Sequence, residues 1–191
     1  MRADPSEFQK LELRCHSVLS DVGLHDVWAI PLEGGGPGRT MSDIRAASPF
    51  GASPSNVAVR RLFSVRRAIG QRTGWDQARD DWSAESYVHR LSDEDRALSL
   101  VAPGTREGAF RTLYLFPNEA LAEVRNATVH AFLATALIAR ADGYTLYWAI
   151  YVKPVGPLTP IYMTIIDPFR RLVIYPALIR QTQAAWSSAY A

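Results

Sequence analysis

Residues 126–155 read NATVHAFLATALIARADGYTLYWAIYVKPV, and the fold turns on how that run divides. β-Branched and aromatic residues dominate it, Asp142-Gly143 interrupts it near the middle and Pro154 ends it. That is the pattern of two antiparallel strands joined by a tight turn. In the second strand Leu146, Trp148, Ile150 and Val152 are uniformly apolar while Thr145, Tyr147, Tyr151 and Lys153 are amphiphilic, so its even positions face inward. The first strand discriminates less, because Val129, Leu133 and Leu137 are as apolar as Phe132 and Ile138. Two registers compete. If Asp142-Gly143 alone form the turn, Ala141 pairs with Tyr144, and His130 and Phe132 share a face with Tyr147, Tyr151 and Lys153. If Ala141-Asp142-Gly143 form a loop with Gly143 as a bulge, Arg140 pairs with Tyr144, and His130 and Phe132 join Leu146, Trp148, Ile150 and Val152. The bulged loop is the preferred register, and it places His130 indoors.

Working outward, RTLYLF (111–116) and EALAEVRN (119–126) precede the hairpin and IYMTII (161–166) follows it, so the expected sheet is an antiparallel meander. Asp167 then reads as a helix N-cap with Pro168 at the first helical position. Phe169, Leu172, Val173, Pro176, Ile179 or Arg180, Gln183 and Trp186 trace one stripe of a long terminal helix, and Pro176 predicts a kink between Leu172 and Pro176. At the other end LHDVWAIPL (24–32) reads as a first strand, closed by Pro31 and the GGGPG run at 34–38. A helix is expected over 54–74, with Val59, Leu62, Phe63, Arg66 and Ile69 at helical spacing. Residues 76–108 read as a polar helical excursion in which Ser92 and Asp95 form a capping-box pattern, and residues 1–23 as an N-terminal extension. With no repeat and no shift in composition, residues 1–191 are expected to form a single α+β domain.

A chain of 191 residues that is 48% apolar can bury roughly 70% of its unfolded surface without a staple. The lone Cys15 forms no internal bridge, and His16, His25, His89 and His130 stand singly, so neither a metal nor another cofactor is expected. Basic residues number 21, nearly all arginine, but 19 acids offset them to a net charge of +2. Pairs such as Arg60-Arg61, Arg66-Arg67 and Arg170-Arg171 are spaced like polar helix stripes, which argues against a nucleic-acid partner. The absence of a long apolar run and of a signal-peptide core argues against a membrane span and for a cytoplasmic address. The GGGPG run lacks the lysine of a phosphate loop, and Pro37 removes one donor that a phosphate would need.

The segments LHDVWAIPL, RRLFSVRRAIGQRTGW, NATVHAFL, GYTLYWAIYV and above all YMTIIDPFRRLVIYPAL (162–178) resemble the bacterial family of domains of unknown function DUF2867, grouped with the START-like or SRPBCC superfamily. What the resemblance implies is a helix-grip fold, an antiparallel sheet wrapped around the long C-terminal helix with an apolar cavity between them. It implies no catalytic residues. The family often has an acid two places before the histidine that corresponds to His130; this chain has Thr128, so a carboxylate–histidine pair at that place is not implied.

In such a cavity the ligand-facing candidates are His130, Phe132, Trp148, Ile150, Tyr114 and Tyr162. Arg66 joins them as a residue that could anchor a carboxylate or, alternatively, lie along its helix with its head in water. His130 is the one candidate catalytic residue, since an imidazole's ordinary pKa, about 6.5, suits acid–base work. A core histidine bonded to a neighbouring carbonyl or hydroxyl, and a solvent-facing one, stay open as readings. The leading expectation is binding of an apolar or amphipathic small molecule in an internal cavity. The alternatives are a small cyclase, dehydratase or isomerase acting on a polyketide- or lipid-like substrate in the same cavity, and a protein-interaction domain whose cavity its own side chains fill. Whether a reaction is catalysed, and the oligomeric state, are not legible.

Overall fold

The computed structural model describes residues 1–47, 83–126, 129–156 and 159–190, without the side chains of Ser83, Ile161, Tyr162 and Ile165. The helix expected over 54–74, and Arg66 with it, lies outside the described residues. Strands β1 (Gly23–Glu33), β2 (Arg106–Glu107), β3 (Phe110–Leu115), β4 (Glu119–Arg125), β5 (Val129–Arg140) and β6 (Gly143–Pro154) form an antiparallel sheet in the order β1-β6-β5-β4-β3-β2. The described helices are α1 (Pro5–Gln9), α2 (Arg14–Val18), α3 (Met41–Ala47), α4 (Asp93–Leu98), α5 (Thr159–Phe169) and α6 (Tyr175–Tyr190), with tight turns at Ser83–Glu85 and Tyr87–Arg90. The α+β class and the meander from β3 to β6 match expectation. Ser92 caps α4 with a complete capping box, its hydroxyl accepting the Asp95 N–H at 3.1 Å while Asp95 accepts the Ser92 N–H at 3.0 Å.

The central hairpin corrects the preferred register. Arg140 pairs with Gly143 and Ala139 with Tyr144, so Ala141-Asp142 make the turn, and His130 lies opposite Lys153, Phe132 opposite Tyr151 and Ala136 opposite Tyr147. This is the facing of the two-residue turn, not of the bulged loop. The premise about β6 holds in part: Leu146 and Ile150 are buried with Ile174, Ile179 and Trp186 of the C-terminal helical segment, while Trp148 and Val152 are half-buried. What fails is the idea that the other face is open. Phe132, Ala134, Ala136, Tyr147, Ala149 and Tyr151 are equally buried, beneath Phe8, Leu13, Cys15, Val18 and Leu19 of the N-terminal segment and Tyr87 and Leu91 of the excursion. Amphiphilic side chains reach that face because their polar ends find partners there: the Lys153 ammonium donates to the Tyr87 hydroxyl at 2.8 Å, and Arg140 donates to the Tyr147 hydroxyl at 3.3 Å. Gly143 holds φ at +146°, and a Cβ there would lie 2.3 Å from the Leu32 carbonyl oxygen. Only glycine lets the end of β1 pass so close to the turn.

The C-terminal segment departs further. Ile161–Ile166 are not a strand but the body of α5, which begins at Thr159 with Pro160 in its first turn, where a missing N–H is not needed. A short run rich in β-branched residues fits either state by pattern, and here the helix wins. Asp167 and Pro168 are therefore interior to α5 rather than its cap. A π turn over Arg170–Ile174 follows, in which the Tyr175 N–H donates to the Arg170 carbonyl, and Pro176 comes directly after it in α6. Where a kink was expected between Leu172 and Pro176, the helical backbone carries this π turn. A π turn adds one residue, rotating what precedes it by roughly 100°. Phe169 and Leu172 accordingly turn outward, 47% and 77% exposed, contrary to the single buried stripe, whereas Ile174, Ile179 and Trp186 are buried. Trp186 Nε1 donates to the Glu33 carbonyl at 3.0 Å, and Gly35, at φ +92°, admits the indole, since a Cβ there would sit 2.5 Å from it. Among the described residues no helix is long and apolar enough to cross a membrane.

Candidate functional site

The sheet divides the expected site residues between two faces. His130, Phe132 and Tyr114 lie on the face covered by the N-terminal segment, while Trp148 and Ile150 lie on the face covered by the terminal helix. They cannot line one cavity. Tyr162 falls within α5 with its side chain outside the described set.

On the N-terminal face, alternation along β4 sends Glu119, Leu121 and Glu123 to the same side. Glu123 is fully buried and accepts from the Tyr87 N–H at 3.1 Å, from the Ser86 hydroxyl, and from His130 Nε2 at 3.0 Å. The His130 ring is 1% exposed, stacked on Phe132 at 4.4 Å and met edge-on by Tyr87 at 5.4 Å. The carboxylate partner that Thr128 could not supply thus comes from the neighbouring strand. Glu119 accepts from the Arg14 N–H at 2.7 Å and the Tyr114 hydroxyl at 3.1 Å. Burial pushes its carboxyl up, pushes the Tyr114 phenol well up with help from the Glu119 charge, and raises the Cys15 thiol, which is thereby kept protonated and unreactive. These carboxylates staple the covering segment to the sheet. The sequence hides this role because glutamates alternating with apolar residues read as an outward face.

The helix-covered face carries a different cluster. β1 slips its pairing between Leu24 and Asp26, which makes His25 the extra residue of a bulge, and the π turn lies against it. His25 Nε2 is 2.7 Å from Asp167 Oδ2 and 3.3 Å from Arg171 Nη2. Arg170 donates to Asp167 Oδ1 at 3.1 Å and also reaches the Tyr175 hydroxyl. Asp26, with its side chain wholly buried, accepts from Trp28 Nε1 at 3.3 Å. Trp28 in turn meets Tyr175 edge-on at 5.3 Å, and burial pushes the Tyr175 phenol up. The outer members are open to solvent, with side-chain exposures of 24% for His25 and 33% for Arg171. Because a carboxylate can only accept, Nε2 is the ring nitrogen that donates to Asp167, which makes Nδ1 a hydrogen-bond acceptor in the neutral ring. His25 and Asp26 were not singled out by pattern and Asp167 was read only as a helix cap, although a His-Asp pair breaking the alternation inside a strand is a bulge signal.

Beside this cluster Trp28 and Trp148 are Cα partners across β1 and β6, and with Leu133 and Val152 they form an apolar surface that the terminal helix covers only in part. Farther across the same face Leu133, Thr135, Ala120 and Ala122, closed by the Arg45–Glu107 ion pair, border a pocket of about 10 Å³. That is room for about one water, against ~300 to 1,000 Å³ for a drug-sized ligand. No group of three His, Cys, Asp or Glu side chains placed to hold a metal occurs among the described residues.

Residues 18–177 match the family described as "Protein of unknown function (DUF2867)", and the chain belongs to that family. No curated protein and no solved structure matches it.

Proposed function

We propose that this DUF2867 chain binds an apolar or amphipathic small molecule between its sheet and its terminal helix, in the manner of START-like (SRPBCC) helix-grip domains. The observation that carries the reading is the half-covered apolar surface of Trp28, Trp148, Leu133 and Val152, which ends at the polar group of His25, Asp26, Asp167 and Arg171. A ligand site needs that combination of apolar wall and few convergent polar groups. The terminal helical segment that packs on this face carries the π turn of Arg170–Ile174, an irregularity that is frequent at functional sites. Acid–base chemistry on the bound molecule is the second reading, favoured by the His25–Asp167 pair, which is accessible where the Glu123–His130 pair is closed. Native mass spectrometry of the protein purified from its own host tests the proposal. A bound mass released by denaturing solvent is expected; the bare chain alone, combined with no response to added amphiphiles, overturns it.

A further inference from the structure

The bulge of β1 and the π turn leave two buried hydrogen-bonding atoms unfilled side by side. Asp26 Oδ2 accepts no hydrogen bond and Arg171 Nε donates none, although the two lie only 3.5 Å apart and both are out of solvent. Buried polar atoms in native proteins are almost always hydrogen-bonded, so an acceptor and a donor that face each other as an ion pair without a hydrogen bond are placed to share one further group. His25 offers a further acceptor nearby, since its Nε2 is engaged by Asp167 and Nδ1 has no hydrogen-bond partner among the described residues. Resting on the reading that an amphipathic molecule binds this face, we propose that the cluster of Asp26, Arg171 and His25 is a subsite that recognises a hydroxyl group at the polar end of the ligand.

The chemistry selects a hydroxyl over the alternatives. One hydroxyl oxygen donates its hydrogen to the Asp26 carboxylate and accepts from the Arg171 N–H at the same time, whereas an ether oxygen can only accept. A ligand carboxylate would meet both Asp26 and Asp167, whose charges are already matched by Arg170 and Arg171, so it brings an unpaired negative charge. Trp28, bonded through Nε1 to the other oxygen of Asp26, places an aromatic wall next to the subsite.

Three probes of one shape separate these cases: 2-naphthol, 2-methoxynaphthalene and 2-naphthoate. They are titrated into the full chain while the Trp28 indole N–H resonance is followed by NMR. The expected order is 2-naphthol first, 2-methoxynaphthalene roughly three- to tenfold weaker for the loss of one hydrogen bond, and 2-naphthoate weakest. Asp26→Asn replaces the acceptor with an amide and should erase the preference for the hydroxyl. If that variant does not fold, Arg171→Met, at a partly exposed position, should narrow the preference in the same direction. Equal binding of all three probes, or tightest binding of 2-naphthoate, overturns the hydroxyl subsite while leaving ligand binding on this face intact. Failure of every probe to move the Trp28 resonance overturns both.

Discussion

Replacing Glu123 by alanine tests whether the His130 pair is structural. The carboxylate is wholly buried and receives three donors, the Ser86 hydroxyl, the Tyr87 N–H and His130 Nε2. Each buried donor stripped of its acceptor costs ~1 to 3 kcal/mol, and the Ser86 hydroxyl can relieve its own loss by rotating, which leaves the Tyr87 N–H and His130 Nε2 stranded. Two orphaned donors then give ~2 to 6 kcal/mol, in line with the ~3 to 5 kcal/mol expected when one member of a buried pair is removed. In urea, with a slope of ~2 kcal/mol per molar, a loss of ~4 kcal/mol moves the midpoint down by ~2 M. The double variant Glu123→Ala with His130→Ala should cost less than the sum of the single changes, because each alone strands the other's partner. A midpoint shift below ~0.5 M for Glu123→Ala, or strict additivity in the cycle, would refute the idea that this pair anchors the covering segment.

Four further outcomes follow from particular contacts. Trp186→Ala should lower stability by ~3 to 5 kcal/mol, whereas Leu172→Ala, at a 77% exposed position, should change it by less than ~0.5 kcal/mol; comparable losses in thermal denaturation would contradict the phase shift at the π turn. Gly143→Ala forces a Cβ against the Leu32 carbonyl at positive φ, and a cost of ~1 to 3 kcal/mol is expected from chemical denaturation. Burial works against ionisation of Asp95, but hydrogen bonds from Arg14 and Ser92 outweigh it and hold the carboxyl below its ordinary value. Its contribution is therefore present above the ordinary carboxylate pKa and lost as pH falls through the folded value, and Asp95→Asn should flatten the acid limb of stability against pH. Glu119 has the opposite sign. Burial raises its carboxyl, so its contribution is full in acid and lost as pH rises through the folded value, and Glu119→Gln should make the protein relatively more stable at neutral than at acid pH, compared with the parent.

Local chemistry was enough to identify the elements that span short stretches. The strands at 24–32 and from 110 to 153, the capping box of Ser92 and Asp95, and the interruption before Pro176 all follow from period, turn residues and missing donors that act within a few positions. That Leu146, Trp148, Ile150 and Val152 share one face was legible for the same reason, but not that the opposite set of Tyr147, Ala149 and Tyr151 is buried as well. Membership in the DUF2867 family also followed from the residues alone. Which face His130 occupies was not legible, because both faces of the hairpin are buried and alternation carries no contrast when neither side meets water. The partner of His130 is Glu123, seven residues away but brought alongside only by the β4–β5 pairing. The His25–Asp167 contact joins residues 142 positions apart, through one extra residue in a strand and one extra residue in a helix turn. Such insertions change the direction of side chains without changing the local pattern that announces them, so only the packed tertiary structure decided which polar groups would meet.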